Sequence, residues 1–353
     1  MGTSVTSLTT LPTTRVPIDH YSAVHLAAAT TRSLAEQCRL PGAMPDRAAV
    51  IASELASNLD KHARDGALYI QPLPLGGGLE ILAVDRGPGM HELHRCLTDG
   101  YTTTGTMGAG LGAVTRIATD FTIRTNTGAD TGTVTGTNTE TGTLACARIA
   151  LPDRAQAARQ EVGLVCLPAD RELHCGDACA VVDTDEVRTA IVIDGLGHGP
   201  HAAEAAQTAL RSFHAVVDRP LPHVLTAIHR SLRRTRGAAV GLLRLEPERA
   251  EYCGVGNVRA VALSPHQVHH RLTGRPGVVG WNIPAPQSHY FPLDAGTTAV
   301  LHSDGIDSRW THTPSRFLLR LPPSLLVGAV AHGHRSTRDD AAVLAARPHQ
   351  RHR

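Results

Sequence analysis

Short apolar runs alternate with amphipathic segments along the chain, and this alternation predicts a mixture of strands and helices. Apolar residues recur at helical spacing from Tyr21 to Cys38 and from Arg47 to about His62, where Asp46 is placed to cap the second helix. A mostly apolar segment of strand length lies at Leu79–Val84, and a continuous apolar run lies directly before Asp194. The pattern therefore predicts an α+β protein.

Composition and length indicate two domains. The chain has 353 residues, of which 42% are hydrophobic and 19% charged, as in an ordinary soluble protein. The polar segment 152–160, PDRAQAARQ, is predicted to be a linker between a domain at 15–151 and a domain at 161–347. A Thr/Gly-rich tract at about 126–142 cannot build a core and is predicted to be an exposed loop between two strands.

The charge and the cysteines narrow the possible partners and location. A formal net charge of +2 gives no electrostatic basis for binding nucleic acid or a membrane surface. No apolar run approaches the roughly 18 residues that cross a bilayer, and the N-terminus does not resemble a signal peptide. Seven scattered cysteines suit a reducing compartment, so we expect a cytoplasmic protein without a nucleic-acid or membrane partner.

Three elements in the first half predict a nucleotide site. Glu54 and Asn58 stand four residues apart on the second helix and therefore share one face. Asp85 ends a buried strand and precedes a proline turn, and a later glycine-rich loop opens a helix whose amides can face an anion. The loop contains Gly105, Gly108, Gly110 and Gly112, and the candidate pocket glycines of the two segments are Gly87, Gly89, Gly108, Gly110 and Gly112. Each element alone is weak evidence, but their order together favours a nucleotide.

The segments ELASNLDKHA, DRGPGM and DGYTTTGTMGAGLG resemble the N, G1 and G2 boxes of the GHKL (Bergerat-fold) ATPases. The DGYTTTG segment is most similar to the RsbT-type serine/threonine kinases, which phosphorylate STAS-domain proteins. The resemblance implies a mixed sheet covered by helices that binds ATP with magnesium. It further implies that Asp85 receives the adenine amino group, that Asn58 holds magnesium, that Glu54 is the general base and that the five glycines shape the pocket.

Carboxylates at strand ends mark the second half. Asp177 stands at the head of one predicted strand, Asp194 and Asp304 end two others, and Asp339 and Asp340 precede the last. Any one of them is explained as a turn residue. Several together repel one another unless cations neutralise them, so the pattern favours a two-metal site.

The motif order GD…DGLGHG…SDG…DD resembles the metal-dependent serine/threonine phosphatases of the PPM group. TRGAAVGLLRL, YCGVGNVRAVAL and GVVGWNIP are similar to RsbX, in the SpoIIE-like branch of that group. The resemblance implies a β-sandwich flanked by helices, with two manganese or magnesium ions bridged by Asp194. The implied remaining ligands are the Gly195 carbonyl, Asp177, Asp304 and Asp339, the last of which matches the ligand position better than its neighbour Asp340.

Two features of the second half stay open at this level. His198 is either the acid that protonates the leaving serine oxygen or a histidine bonded within its own turn. Arg233, Arg234 and Arg236 precede the strand at Gly237 and either steer a phosphate or, as we favour, form a solvated helix end.

Together the two resemblances predict a bifunctional regulator: an ATP-dependent serine/threonine kinase joined to a metal-dependent phosphoserine/phosphothreonine phosphatase. Its expected partners are STAS-domain antagonists or stressosome-type proteins, within a sigma-factor pathway. Ser57 and His62 depart from the Arg and Tyr of the kinase N box, and Met107–Ala109 alters the lead into the second box. The alternatives are a phosphatase whose ATP-binding half is a non-catalytic anti-sigma-type module and, less favoured, a non-catalytic scaffold.

Overall fold

A computed structural model describes residues 12–90, 93, 110–128, 141–154, 161–184, 187–294 and 296–349. The chain divides into two compact units, one spanning residues 13–160 and the other formed mainly by residues 161–353. Gly108 and most of the Thr/Gly-rich tract lie outside the described residues. None of the helices in the described ranges is long and apolar enough to span a membrane.

The first unit is a five-stranded sheet with helices packed on one face. The strands follow the order β1-β2-β3-β5-β4. Their bounds are β1 Thr14–Ile18, β2 Gly66–Pro72, β3 Gly78–Val84, β4 Asp120–Asn126 and β5 Gly142–Ala150. The described helices are α1 Ser22–Gln37, α2 Met44–His62 and α3 Gly110–Ile117. The pairings of these five strands are all antiparallel, so the expectation of a mixed sheet is wrong, although the α+β class is confirmed.

Alternating apolar positions explain which face of this sheet is covered. Leu79, Ile81 and Ala83 of β3 point to one side and form a core with Ala27 of α1 and Leu55 of α2. This packing explains the helical spacing of apolar residues in α1 and α2.

The start of α2 differs from the prediction. The helix begins at Met44 rather than Arg47, with Pro45 in its first turn and no side-chain cap. Pro suits that position because the amide it lacks would have no partner within the helix. Asp46 consequently does not cap the helix, and its carboxylate forms an ion pair with Arg32 of α1 at 2.7 Å.

The second unit is a sandwich of two antiparallel five-stranded sheets with helices outside, as predicted. One sheet has the order β13-β10-β9-β8-β7 and the other β12-β11-β14-β15-β6. The strands of this unit are β6 Val162–Leu167, β7 Asp177–Asp183, β8 Arg188–Gly195, β9 Ala238–Glu246, β10 Arg249–Val255, β11 Arg259–Leu263, β12 Val268–Thr273, β13 His289–Pro292, β14 Thr298–His302 and β15 Ala341–Ala346. Its helices are α4 Pro200–Val216, α5 Leu221–Ser231, α6 Arg316–Leu319 and α7 Pro323–His334.

The central strand β8 positions the candidate site. Ile191, Val192 and Ile193 are all fully buried, because α4 and α5 cover one face of this sheet and the second sheet covers the other. This double coverage explains why the run before Asp194 is uninterrupted rather than alternating. Helix α7 packs on β6 and β15 and closes the outer face of the second sheet.

Candidate functional site

The strand register of the second unit brings two aspartates together. β7 pairs with β8 so that Asp177 lies directly opposite Asp194, at the end of both strands. Asp177 is only 4% exposed, and its Oδ2 accepts a hydrogen bond of 2.6 Å from the hydroxyl of Ser303, which precedes Asp304. The two sheets of the sandwich therefore converge at this point.

The electrostatics of the cluster are unfavourable without a cation. Burial, followed by the charges of Asp304 and Asp339, raises the pKa of Asp194 to about 8. Burial and the charge of Asp194 raise the pKa of Asp177 well above its usual range. The buried Oδ2 of Asp194 accepts no hydrogen bond from any described residue. An unpartnered oxygen in this position is the feature that a bound cation would satisfy.

Asp304 lies at the exposed side of the cluster. Its Oδ2 accepts a hydrogen bond of 2.6 Å from Nδ2 of Asn257, in the turn between β10 and β11. Sequence reasoning passed over Asn257, since a single amide in a turn carries no pattern. The next residue, Gly305, packs against Asp340, and a β-carbon there would overlap the Asp340 carbonyl oxygen.

The neighbours Asp339 and Asp340 have different environments. Asp340 is 2% exposed, and its two carboxylate oxygens accept the backbone amides of Ala169 at 2.8 Å and Gly176 at 2.9 Å. Burial and then the charge of Asp304 raise the pKa of Asp339, whereas His198 lowers it. Asp340 thus holds the loop before β7, and Asp339 faces the cluster.

The chemistry of the cluster suits hard divalent cations. Carboxylate and backbone oxygens are the ligands that magnesium and manganese prefer. No group of three or more His, Cys, Asp or Glu side chains among the described residues could hold a metal by itself. Ions at this position would therefore also take backbone and water oxygens. Gly195 offers a backbone carbonyl there, and its lack of a side chain allows close packing, since a β-carbon would lie 2.6 Å from the carbonyl oxygens of Gly176 and Ala202.

His198 lies next to the cluster and has a partner that the sequence did not reveal. Its side chain is 62% exposed, and Nδ1 lies 2.9 Å from Oε1 of Glu172. Glu172 is 26 residues away in the loop that Asp340 holds. The histidine is therefore not bonded within its own turn, and this contact leaves Nε2 as the nitrogen available to a substrate.

The first unit contains a second candidate site, a cleft between α2, α3 and the sheet. Its walls are mostly apolar, with a few polar groups converging on one end, as in typical small-molecule sites. The lining residues are Leu55, Asn58, Leu59, His62, Ala63, Ala83, Asp85, Pro88, Gly89, Met90, Leu111, Ile123, Thr143 and Ala145. Three of the sequence-selected residues, Asn58, Asp85 and Gly89, thus meet in one cleft.

The polar end of this cleft has a hydrogen-bonding group without a partner among the described residues. Nδ2 of Asn58 is buried and has no hydrogen-bond partner among the described residues. Asp85 accepts the Gly87 amide through Oδ1 at 2.6 Å, and burial raises the pKa of this carboxyl despite that bond. Gly89 has φ +76°, and a β-carbon there would lie 2.6 Å from the Asn126 carbonyl oxygen. Only glycine fits this turn.

The remaining predicted residues of the first unit lie around the cleft or beyond it. Glu54 is half-buried one turn before Asn58 on α2 and is not among the lining residues. Gly110 starts α3 and Gly112 is buried within it, while Gly108 lies outside the described residues. Thr143 lines the cleft from β5, next to the Thr/Gly-rich tract whose low complexity concealed it.

Comparison with known proteins finds one family and two curated relatives that are similar to parts of the chain. Residues 185–349 match the SpoIIE family (Stage II sporulation protein E). The serine/threonine-protein kinase RsbT of Bacillus subtilis is 37% identical over 81 residues, which are 22% of this chain and 61% of RsbT. The phosphoserine phosphatase RsbX of Bacillus subtilis is 24% identical over 135 residues, which are 38% of this chain and 68% of RsbX.

The chain therefore contains a region similar to RsbT and a region, residues 185–349, that matches the SpoIIE family. It spans somewhat less than two thirds of RsbT. A crystal structure of RsbX in complex with magnesium is 21% identical, with a TM-score of 0.46, and the match covers 52% of this chain and 92% of that one. The two Bacillus proteins agree with the two resemblances in the motifs.

Proposed function

We propose that the SpoIIE-like domain hydrolyses phosphoserine or phosphothreonine on proteins, with two divalent ions at the carboxylate cluster. The buried, unpartnered Oδ2 of Asp194 between other carboxylates carries this proposal. Asp194 would bridge the two ions, with the Gly195 carbonyl on one of them. Asp177, Asp304 and Asp339 would complete the ligand set directly or through water. Manganese and magnesium both suit this oxygen-rich set.

Side chains around the cluster would position the ligands and supply the proton for the leaving group. When bound, the ions supply Lewis acidity and offset the charge of the phosphate. Asp340 holds the loop that leads into Asp177, and the Ser303 hydroxyl donates to the Asp177 carboxylate. His198 donates a proton from Nε2 to the departing serine oxygen, and Glu172 orients the ring through Nδ1. Water is the nucleophile, so no side chain forms a covalent intermediate.

Release of phosphate from a phosphoserine peptide tests this function. We expect the full chain to hydrolyse the peptide in the presence of manganese, and Asp194→Ala to lower kcat by at least about a thousandfold, as losses of a central catalytic group do. Asp294→Ala, which changes an exposed aspartate of the same domain, is the matched control. A chain that stays inactive with both manganese and magnesium would favour the scaffold alternative.

We further propose that the RsbT-like region is a serine/threonine kinase. Asn58 would hold magnesium on the phosphates of ATP, and Asp85 would accept the adenine amino group. Glu54 would act as general base on the protein hydroxyl, and Gly87, Gly89, Gly108, Gly110 and Gly112 would shape the pocket. The cleft that brings Asn58, Asp85 and Gly89 together supports nucleotide binding. Nucleotide binding alone does not distinguish a kinase from an anti-sigma-type module, because such a module would bind ATP without transferring its phosphate.

Label transfer from γ-labelled ATP to STAS-domain proteins separates the kinase from the binding module. The Asp194→Ala background prevents the other domain from removing the label. Loss of transfer in Asn58→Ala, with transfer retained in Asp60→Ala, an exposed position on the same helix, supports the kinase. ATP binding without transfer to any STAS protein would support the module. From the resemblance of the motifs to RsbT-type kinases and RsbX, we propose STAS-domain antagonists or stressosome-type proteins as partners of both halves.

A further inference from the structure

Arg236 lies against the turn that follows Asp194 because of the register between β8 and β9. Gly195 pairs with Ala238, and the Leu196 amide donates to the Gly237 carbonyl at 3.1 Å, which extends the ladder past the strand end. Arg236 therefore lies opposite Gly197. A β-carbon on Gly197 would lie 3.3 Å from Nη1 of Arg236, so the guanidinium lies against the turn between Asp194 and His198.

The backbone around Arg236 is held by several contacts. The Gly237 amide donates to Oγ1 of Thr235 at 3.1 Å. The Thr235 carbonyl in turn accepts the indole N–H of Trp281 at 3.4 Å. These contacts fix the segment from which the Arg236 side chain extends, so that little conformational freedom of the backbone is lost when the side chain binds a ligand.

The guanidinium of Arg236 is exposed and forms no hydrogen bond or ion pair with the residues that the structure describes. Other arginines near the cluster have partners. Arg335 donates to Asp170 and to the Pro168 carbonyl, each at 2.7 Å, and Arg259 donates to Ser308. An exposed cation without a partner, at the turn that follows Asp194, is available to an anionic ligand.

We propose that Arg236 binds the phosphoryl group of the substrate. This inference rests on the proposed phosphatase function of the same domain. A phosphoserine carries about −1.5 to −2 charges at neutral pH and would be repelled by uncompensated carboxylates. The guanidinium offers two parallel N–H donors to phosphate oxygens. Arg236 thus selects a phosphate monoester at the rim, next to His198, while the ions occupy the carboxylates below.

The two neighbouring arginines provide matched controls. Arg233 and Arg234 are exposed on the same short segment and carry the same charge, but no contact places them at the Gly197 turn. If general electrostatic attraction drew the substrate in, all three arginines would contribute similarly.

Kinetics of the full chain with manganese and a phosphoserine peptide test the proposal. We expect Arg236→Ala to raise KM, and the inhibition constant of inorganic phosphate, by roughly 10- to 100-fold, as for loss of a charge-assisted contact. Arg236→Lys should retain part of the affinity, and Arg233→Ala and Arg234→Ala should stay within about twofold of wild type. The rise of Tm on adding manganese should be the same in Arg236→Ala as in wild type, since the ligands are unchanged.

Three results would overturn the proposal: an Arg236→Ala variant with wild-type KM and phosphate inhibition, equal losses in all three alanine variants, or loss of the manganese-induced rise in Tm in Arg236→Ala. A wild-type chain that does not hydrolyse the peptide is a different failure. It would refute the phosphatase function itself, and it is recognised before any variant is compared.

Discussion

At the scale of single residues, the cluster around Asp194 has an energetic cost that the metal-free protein bears. Asp194 has its pKa raised from 3.8 to about 8, first by burial and then by Asp304. The folded state therefore binds this proton more tightly than the unfolded chain does. Ionisation of Asp194 opposes folding increasingly as the pH rises from about 4 to about 8, and this cost is absent below that range.

Removing the charge of Asp194 should stabilise the metal-free protein. We expect Asp194→Asn to raise Tm at pH 8 by roughly 3–10 °C, equivalent to about 1–3 kcal/mol for a domain of this size. At pH 4 the difference should nearly vanish, since wild-type Asp194 is then protonated. Differential scanning calorimetry in the presence of a chelator measures both values.

Manganese should reverse this order of stability. Wild-type protein should gain stability on adding the ion, because binding to the folded state alone shifts the equilibrium, whereas Asp194→Asn should gain little. Asp294→Asn, an exposed position, should follow wild type in both conditions. A wild-type chain that is already more stable than Asp194→Asn at pH 8 without metal would contradict the electrostatic account.

His198 and Glu172 should act as one unit in the reaction. If Glu172 serves only to orient His198, then Glu172→Ala, His198→Ala and the double variant should lose kcat by similar factors of roughly 10- to 100-fold. The measurement is a double-mutant cycle on kcat with a phosphoserine peptide. Additive losses would show that the two side chains act independently.

At the scale of elements, the loop before β7 depends on the start of the last strand. Asp340 accepts amides from both ends of this loop, at Ala169 and Gly176, so β15 and the loop form one unit. The family resemblance favoured Asp339 over Asp340 as the ligand, although adjacent residues before a strand fit nearly the same spacing. Their surroundings separate them: Asp340 is satisfied by backbone amides and Asp339 faces Asp304.

Substitution of Asp340 should lower stability, whereas substitution of Asp339 should weaken metal binding. Asp340→Asn places an amide N–H₂ against at least one backbone N–H, so it should cost about 2–4 kcal/mol of unfolding free energy with or without metal. Asp339→Asn should leave the stability of the metal-free protein within about 1 kcal/mol of wild type, while weakening manganese binding and activity. Denaturant unfolding together with manganese titration distinguishes them. A reversed pattern would make Asp340 the ligand.

At the scale of the whole molecule, one chain carries two opposed activities in our proposal. In a mixture of ATP, magnesium, manganese and a STAS-domain substrate, Asp194→Ala should accumulate phosphorylated partner and Asn58→Ala should accumulate none. Wild type should reach a lower steady level than Asp194→Ala. Phosphate-affinity electrophoresis over time measures these levels. Equal accumulation in wild type and Asp194→Ala would mean that the two halves act on different sites or proteins.

Much of the fold could be predicted from local sequence, because strands and helices leave periodic patterns. Apolar spacing identified α1 and the packed face of α2, and the uninterrupted run before Asp194 indicated a strand covered on both faces. The start of α2 was missed because Pro45 begins the helix without a side-chain cap. The all-antiparallel pairing of the first sheet was missed because strand direction depends on connections that periodicity does not record.

The sequence by itself determined which residue types carry the chemistry: carboxylates at strand ends, and a carboxylate, an amide and glycines around a cleft. Only the tertiary structure decided which of them meet. Strand register places Asp177 opposite Asp194 and Arg236 opposite Gly197, and the loop before β7 brings Glu172 to His198. These contacts join residues far apart in the chain through hydrogen-bonded ladders and packing. A linear pattern shows what each segment can do, but only the packed structure brings the segments together.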